Sequence, residues 1–166
     1  MSDEWRGEIR KKVDWGFWVL TGAGSMKVDE RGKAKSYKEL LIWQKGMSLA
    51  KFVYKLSGRF PVDERYGLIS QIRRAAVSVP SNIAEGQARH TTKEFLQFLS
   101  HTLGSLAEVE TQLLLSVDLG FAHPEGIAPG LKEIDELQKM IMSIQRKLGA
   151  DSPLATRHSP LLSVRH

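Results

Sequence analysis

Between about positions 37 and 149 the apolar residues return at steps of three and four, in four runs separated by short stretches of Gly, Pro and polar residues. That period belongs to amphipathic helices, and four such runs predict an all-α chain. In the second run Leu68, Ile72, Ala75, Ala76, Val79 and Ile83 share a face. In the third, Phe95, Leu99, Thr102, Leu103, Leu106, Leu113 and Val117 do so. In the fourth, Leu131, Ile134, Leu137, Ile141, Ile144 and Leu148 alternate steps of three and four like a coiled-coil seam.

The first run, Tyr37 to Ser57, carries two stripes instead of one. Leu40, Trp43, Met47, Ala50 and Tyr54 form the first. Ile42, Leu49, Val53 and Leu56 form the second, centred about 120° away. A helix at the edge of an isolated bundle needs one such face. The second stripe is therefore expected to be an oligomer interface, with the helix sandwiched between its own bundle and another chain.

Local signals set the expected ends and irregularities. Pro80 lacks a backbone donor, so the helix that crosses it should kink there, or break and restart. Gly86 is expected to cap that helix, and Thr91 with Glu94 has capping-box spacing for the next. Phe60 and Pro61 close the first helix, with Asp63 the expected N-cap of the second. The Gly- and Pro-rich stretch 120–130 leaves the start of the last helix anywhere from Pro124 to Gly130, and Gly149 is expected to end it.

Polar residues placed against this pattern supply the candidate chemistry. Gln71, Arg74, Ser78, Asn82 and Glu85 line up opposite the apolar face of the second helix, as a solvated face, a subunit contact or a partner-binding strip. Glu110 projects into the apolar stripe of the third helix, where an unpaired carboxylate is costly; Arg73 is its expected partner in a register-fixing structural pair. On the first helix Lys38, Lys45, Lys55 and Arg59 fall on one arc with Lys51 nearby, and Glu39 is its lone acid. Such a strip is either an ordinary solvated face or, repeated around a ring, a band that holds a phosphate backbone.

The run QIRRAAVSVPSNIAEG followed by FLQFLSHTLGSLAEVETQL, with Phe60-Pro61 and the segment Glu64 to Gly67, resembles the four-helix-bundle family named for proteins encoded within intervening sequences of bacterial 23S ribosomal RNA genes. The resemblance covers roughly Tyr37 to Leu148. It implies an antiparallel, up-down-up-down four-helix bundle assembled into a ring-shaped homopentamer. The family is similar in fold to the accessory protein of diversity-generating retroelements, which binds nucleic acid and a reverse transcriptase. No enzymatic activity is implied.

Composition changes this picture little. The chain has 166 residues, a formal charge of +5 and no cysteine, so one domain suffices and disulfides and thiolate metal sites are excluded. A basic balance permits nucleic-acid contact without arguing for it. Residues 1–35, Gly-rich and holding Trp5, Trp15 and Trp18, are foreign to the bundle at 36–149: either an adventitious extension upstream of a start at Met26, or a peptide arm docking on a neighbour. Residues 150–166 should form a disordered tail. No apolar run reaches membrane-spanning length, and a cytoplasmic location is expected.

Catalysis finds no support in the spacing. The Glu-x-x-His steps of di-iron bundles, a His-Glu-x-x-His zinc step and a phosphate-binding Gly-x-x-x-x-Gly-Lys run are missing, and nothing recommends Ser78 or Ser105 served by His101. Neither a cofactor nor a metal is expected. The resulting expectation is a non-catalytic homopentamer binding structured RNA or DNA without sequence specificity. The alternative is an interaction scaffold for a polymerase or another factor encoded nearby.

Overall fold

The computed structural model describes residues 36–150, and the expectations for 1–35 and 151–166 lie outside them. Four α-helices account for most of this span: α1 (Leu41–Ser57), α2 (Leu68–Ala88), α3 (Thr92–Asp118) and α4 (Pro124–Ala150). Short 3-10 turns at Tyr37–Glu39 and Val62–Tyr66 precede α1 and α2. Helices that follow one another in sequence pack side by side, and α1 also meets α4, which closes an antiparallel four-helix bundle.

Cross-helix contacts set the register. Ser57 meets Arg73 and Gly46 meets Pro80, so α1 and α2 run in opposite directions. Asn82 reaches Ser105 between α2 and α3, Gln138 and Gln145 of α4 reach Glu110 and Ser100 of α3, and Lys45 reaches Glu136 between α1 and α4. The core is one apolar column that includes Ile42, Leu49, Val53, Ile72, Val79, Leu99, Leu106, Leu137 and Ile141. Burying each such side chain contributes about 1.5–3 kcal/mol against the entropy of ordering the chain.

The two stripes of α1 both point inward. Ile42, Leu49 and Val53 are each 0 % exposed inside their own bundle, and Leu56 packs against the same core. Ile42, Leu49 and Val53 therefore have no surface left for an oligomer interface, and of that stripe Leu56 alone is partly exposed. In a closed square of helices every helix has two neighbours, so its buried arc is wide. The Trp43 and Ala50 stripe leans to the α2 side marked by Gly46 and Ser57, and the Leu49 and Leu56 stripe to the α4 side marked by Lys45 and Phe52. Tyr54, expected in the core, is 48 % exposed.

Several helix ends differ from expectation. α2 continues without a break through Pro80, which is itself buried against α1. Gly86 lies inside α2, not at its cap. At the start of α2 the Glu64 carboxylate, not Asp63, accepts the Leu68 N–H at 2.9 Å. The Thr91–Glu94 capping box is present at α3. That helix ends in a Schellman motif: Phe121 N–H donates to Ser116 O at 2.8 Å and Gly120 N–H to Val117 O at 2.9 Å. Gly120 stands at φ 74°, a conformation other residues adopt only with strain. α4 starts at Pro124, the first-turn position that tolerates proline, and runs past Gly149.

Candidate nucleic-acid interface

The fold scatters part of the lysine strip on α1. Lys45 turns toward α4 and its Nζ donates to Glu136 Oε2 at 2.6 Å, which neutralises it and holds the Glu136 carboxyl below its ordinary range. Lys51 and Lys55 remain exposed on the outer face of α1, Arg59 is exposed in the turn just past its end, and Lys38 is exposed on the 3-10 turn ahead of it. The strip is therefore three outward cations with Lys38 apart from them.

The expected Arg73–Glu110 pair does not form. Arg73 leans back on α1, where its Nε–H donates to the buried Ser57 hydroxyl at 2.8 Å and its guanidinium lies 4.8 Å over the Tyr54 ring. Glu110 is only half-buried and accepts from Gln138 Nε2 at 3.4 Å, so solvent and α4 meet the need that a fully buried carboxylate would have put on Arg73.

The polar strip on α2 divides in the same way. Asn82 hydrogen-bonds Ser105 of α3 at 3.5 Å, and Glu85 pairs with Arg89 one turn on. The Ser78 hydroxyl donates to the Arg74 carbonyl at 2.9 Å, and Arg74 Nη2 to Gln71 Oε1 at 3.0 Å. Arg74 and Ser78 line an open groove, whereas Asn82 and Glu85 are taken up within the chain.

That groove, about 540 Å³, runs between the C-terminal half of α1, the Val62–Tyr66 turn and the outer face of α2. Its walls bring together Arg65, Arg73 and Arg74 with Tyr54 and Tyr66, over Ile69 and Val77. Apart from these the lining residues are serines, so no carboxylate lines it. None of the three arginines forms an ion pair with a described residue. Lys51 and Lys55 flank Tyr54 on α1 and continue the positive charge along that helix.

This arrangement suits an anionic, aromatic ligand. Guanidinium groups give planar, delocalised donors for phosphate, and Arg73 is already oriented by Ser57 and Tyr54, so less entropy is lost on contact. A second surface stands apart from it: the outer face of α3 exposes Leu114, Leu115 and Leu119 beside Gly104, Ala107 and Thr111. Among the described residues no three His, Asp or Glu side chains gather as metal ligands, and no helix is long and apolar enough to cross a membrane.

The period of α1 alone does not reveal the groove, because its arginines come from the Val62–Tyr66 turn and from α2, and its tyrosines read as core or loop residues. The adjacent pair Arg73-Arg74 and the aromatic-basic step Arg65-Tyr66 were the available signals. A family model described as 23S rRNA-intervening sequence protein matches residues 38–143, which include the whole groove. Nothing among the curated proteins matches the chain.

Proposed function

The chain belongs to the 23S rRNA-intervening sequence protein family, and from that premise we propose that it is a non-catalytic, homo-oligomeric bundle that binds RNA or DNA without sequence specificity. The observation that carries the reading is the groove holding Arg65, Arg73 and Arg74 with no carboxylate in its walls. Lys51 and Lys55 on α1, with Arg59 just past its end, extend the same field, where contacts to phosphates release counterions and carry no sequence information.

Mobility shift of a labelled polynucleotide by the full chain at low salt tests it. Binding at micromolar protein that is lost in the double variant Arg65→Glu, Arg74→Glu supports the reading. No shift, or a shift indifferent to that variant, removes it.

Assembly is part of the same proposal, with the pentameric ring that the family resemblance implies. Its support is the apolar outer face of α3 at Leu114, Leu115 and Leu119, since leucines left in water on one helix face favour contact with another protein surface. A reverse transcriptase or another protein docking there is the rival occupant. Co-purification that survives nuclease, with the chain itself monomeric, would favour that rival.

A further inference from the structure

Phosphate binding alone gives no use for the two tyrosines of the groove. Resting on the nucleic-acid reading above, we propose that the groove takes an unpaired stretch of polynucleotide, with one base stacked on Tyr66 and Arg65 and Arg74 on the neighbouring phosphates. The preferred ligand is then single-stranded, not duplex.

Tyr66 closes the 3-10 turn and is 89 % exposed, so its ring stabilises almost nothing within the chain. A large aromatic held in water beside Arg65 on a groove wall offers a ring face on which a base can stack. Tyr54 cannot serve in the same way, because the Arg73 guanidinium already covers one face of its ring at 4.8 Å. That pair instead forms a fixed cationic wall: Arg73 Nε donates to Ser57 at 2.8 Å and Nη2 to the Tyr54 carbonyl at 3.5 Å, which leaves the remaining N–H groups of the fork for an anion. Exposed Val77, with Ile69, adds an apolar strip for a sugar or base edge.

The choice of single strand follows from geometry. In a duplex both faces of a base are occupied by stacked neighbours, and a protein ring gains access only at an end or by unstacking. An unpaired base offers its face at no such cost, and stacking tolerates any base, which agrees with binding that ignores sequence.

Fluorescence anisotropy of the full chain with a labelled single strand, as RNA and as DNA, and with a duplex of equal length decides the matter. The expected result is tighter binding of either single strand than of the duplex. Tyr66→Ala should weaken single-strand binding roughly ten-fold or more with the salt slope unchanged, and Tyr66→Phe should restore it. Arg74→Ala should instead reduce the salt slope by about 0.7. Equal affinity for strand and duplex, or a Tyr66→Ala variant with unaltered binding while Arg65→Glu, Arg74→Glu abolishes it, overturns the stacking site and leaves the electrostatic reading standing. No binding of any polynucleotide overturns both. Because Tyr66 is almost wholly exposed, its variants should keep the parent helical circular dichroism, which checks that lost binding is not lost fold.

Discussion

Gly86 of α2 sits so close to Phe98 of α3 that a Cβ added to it would lie 2.7 Å from Phe98 Cβ and 3.1 Å from the Phe95 ring. The hairpin between the two helices closes on this contact, and the atom met is the root of a side chain, which cannot swing away. Gly86→Ala is expected to lose about 1–3 kcal/mol through overpacking, although alanine by itself favours a helix by about 1 kcal/mol. Gly104 of α3 has no heavy atom within 4 Å of the same position, so Gly104→Ala should gain up to about 1 kcal/mol in the monomer. Thermal unfolding of the two variants, monitored by circular dichroism, should therefore shift in opposite directions.

Lys45 and Glu136 make stability depend on pH in a definite direction. The hydrogen bond from Lys45, and then its charge, lower the Glu136 pKa from 4.5. A depressed folded-state pKa contributes stability that is present above the unfolded value and is lost as pH falls through the folded one. Glu94 behaves likewise, held low chiefly by the Thr91 hydroxyl of its capping box. Denaturant melts should thus show wild type and Glu136→Gln apart at pH 7 and converging below the ordinary carboxylate range. Curves that stay parallel down to acid pH would contradict the pairing.

The helices themselves were legible because burial in a bundle is periodic: the apolar face of α2 and the Ile134, Leu137, Ile141 and Ile144 seam of α4 are buried as the spacing predicts, whereas Ile127 was hidden in the Gly- and Pro-rich stretch before it, and the capping box was visible as Thr91 and Glu94. Which neighbour each face meets was not legible. The two stripes of α1 are the arithmetic of a helix touching both α2 and α4, and periodicity cannot tell a second helix of the same chain from a helix of another. An antiparallel hairpin turning near Arg89 brings Arg73 within a turn or two of Glu110, which is all that spacing can say; the reach of Arg73 back to Ser57 and Tyr54 depends on a rotation of α2 that no spacing encodes. The groove stayed hidden for a related reason, since Arg65 and Tyr66 lie in the connection before α2, where no period places a side chain.

Gln112 offers a stabilising substitution. Its Oε1 is buried and has no hydrogen-bond partner among the described residues. Leaving such an acceptor unpaired costs about 1–3 kcal/mol, whereas an unbranched apolar side chain of similar volume carries no such penalty. Gln112→Met is expected to gain about 1 kcal/mol, a rise of a few degrees in Tm by calorimetry. A fall in Tm would show that Gln112 makes a contact worth more than its orphaned oxygen costs.

Val53 and Leu115 should separate folding from assembly. Val53 is 0 % exposed in the core of its own bundle, so Val53→Asp places a carboxylate there without a partner and should cost on the order of 3 kcal/mol or more. Loss of the cooperative melt is the expected result, with no folded monomer released. Leu115 is 42 % exposed and Leu119 50 %, one turn apart on the outer face of α3. Leu115→Glu removes apolar area that water already reaches, so the monomer should keep its helical spectrum and melting temperature within about 0.5 kcal/mol of stability. If that face joins copies of the chain, sedimentation velocity at tens of micromolar will show an oligomer for wild type and a smaller species for Leu115→Glu. A wild-type monomer at that concentration would remove assembly from the proposed function, while an oligomer indifferent to Leu115→Glu would move the contact to another face.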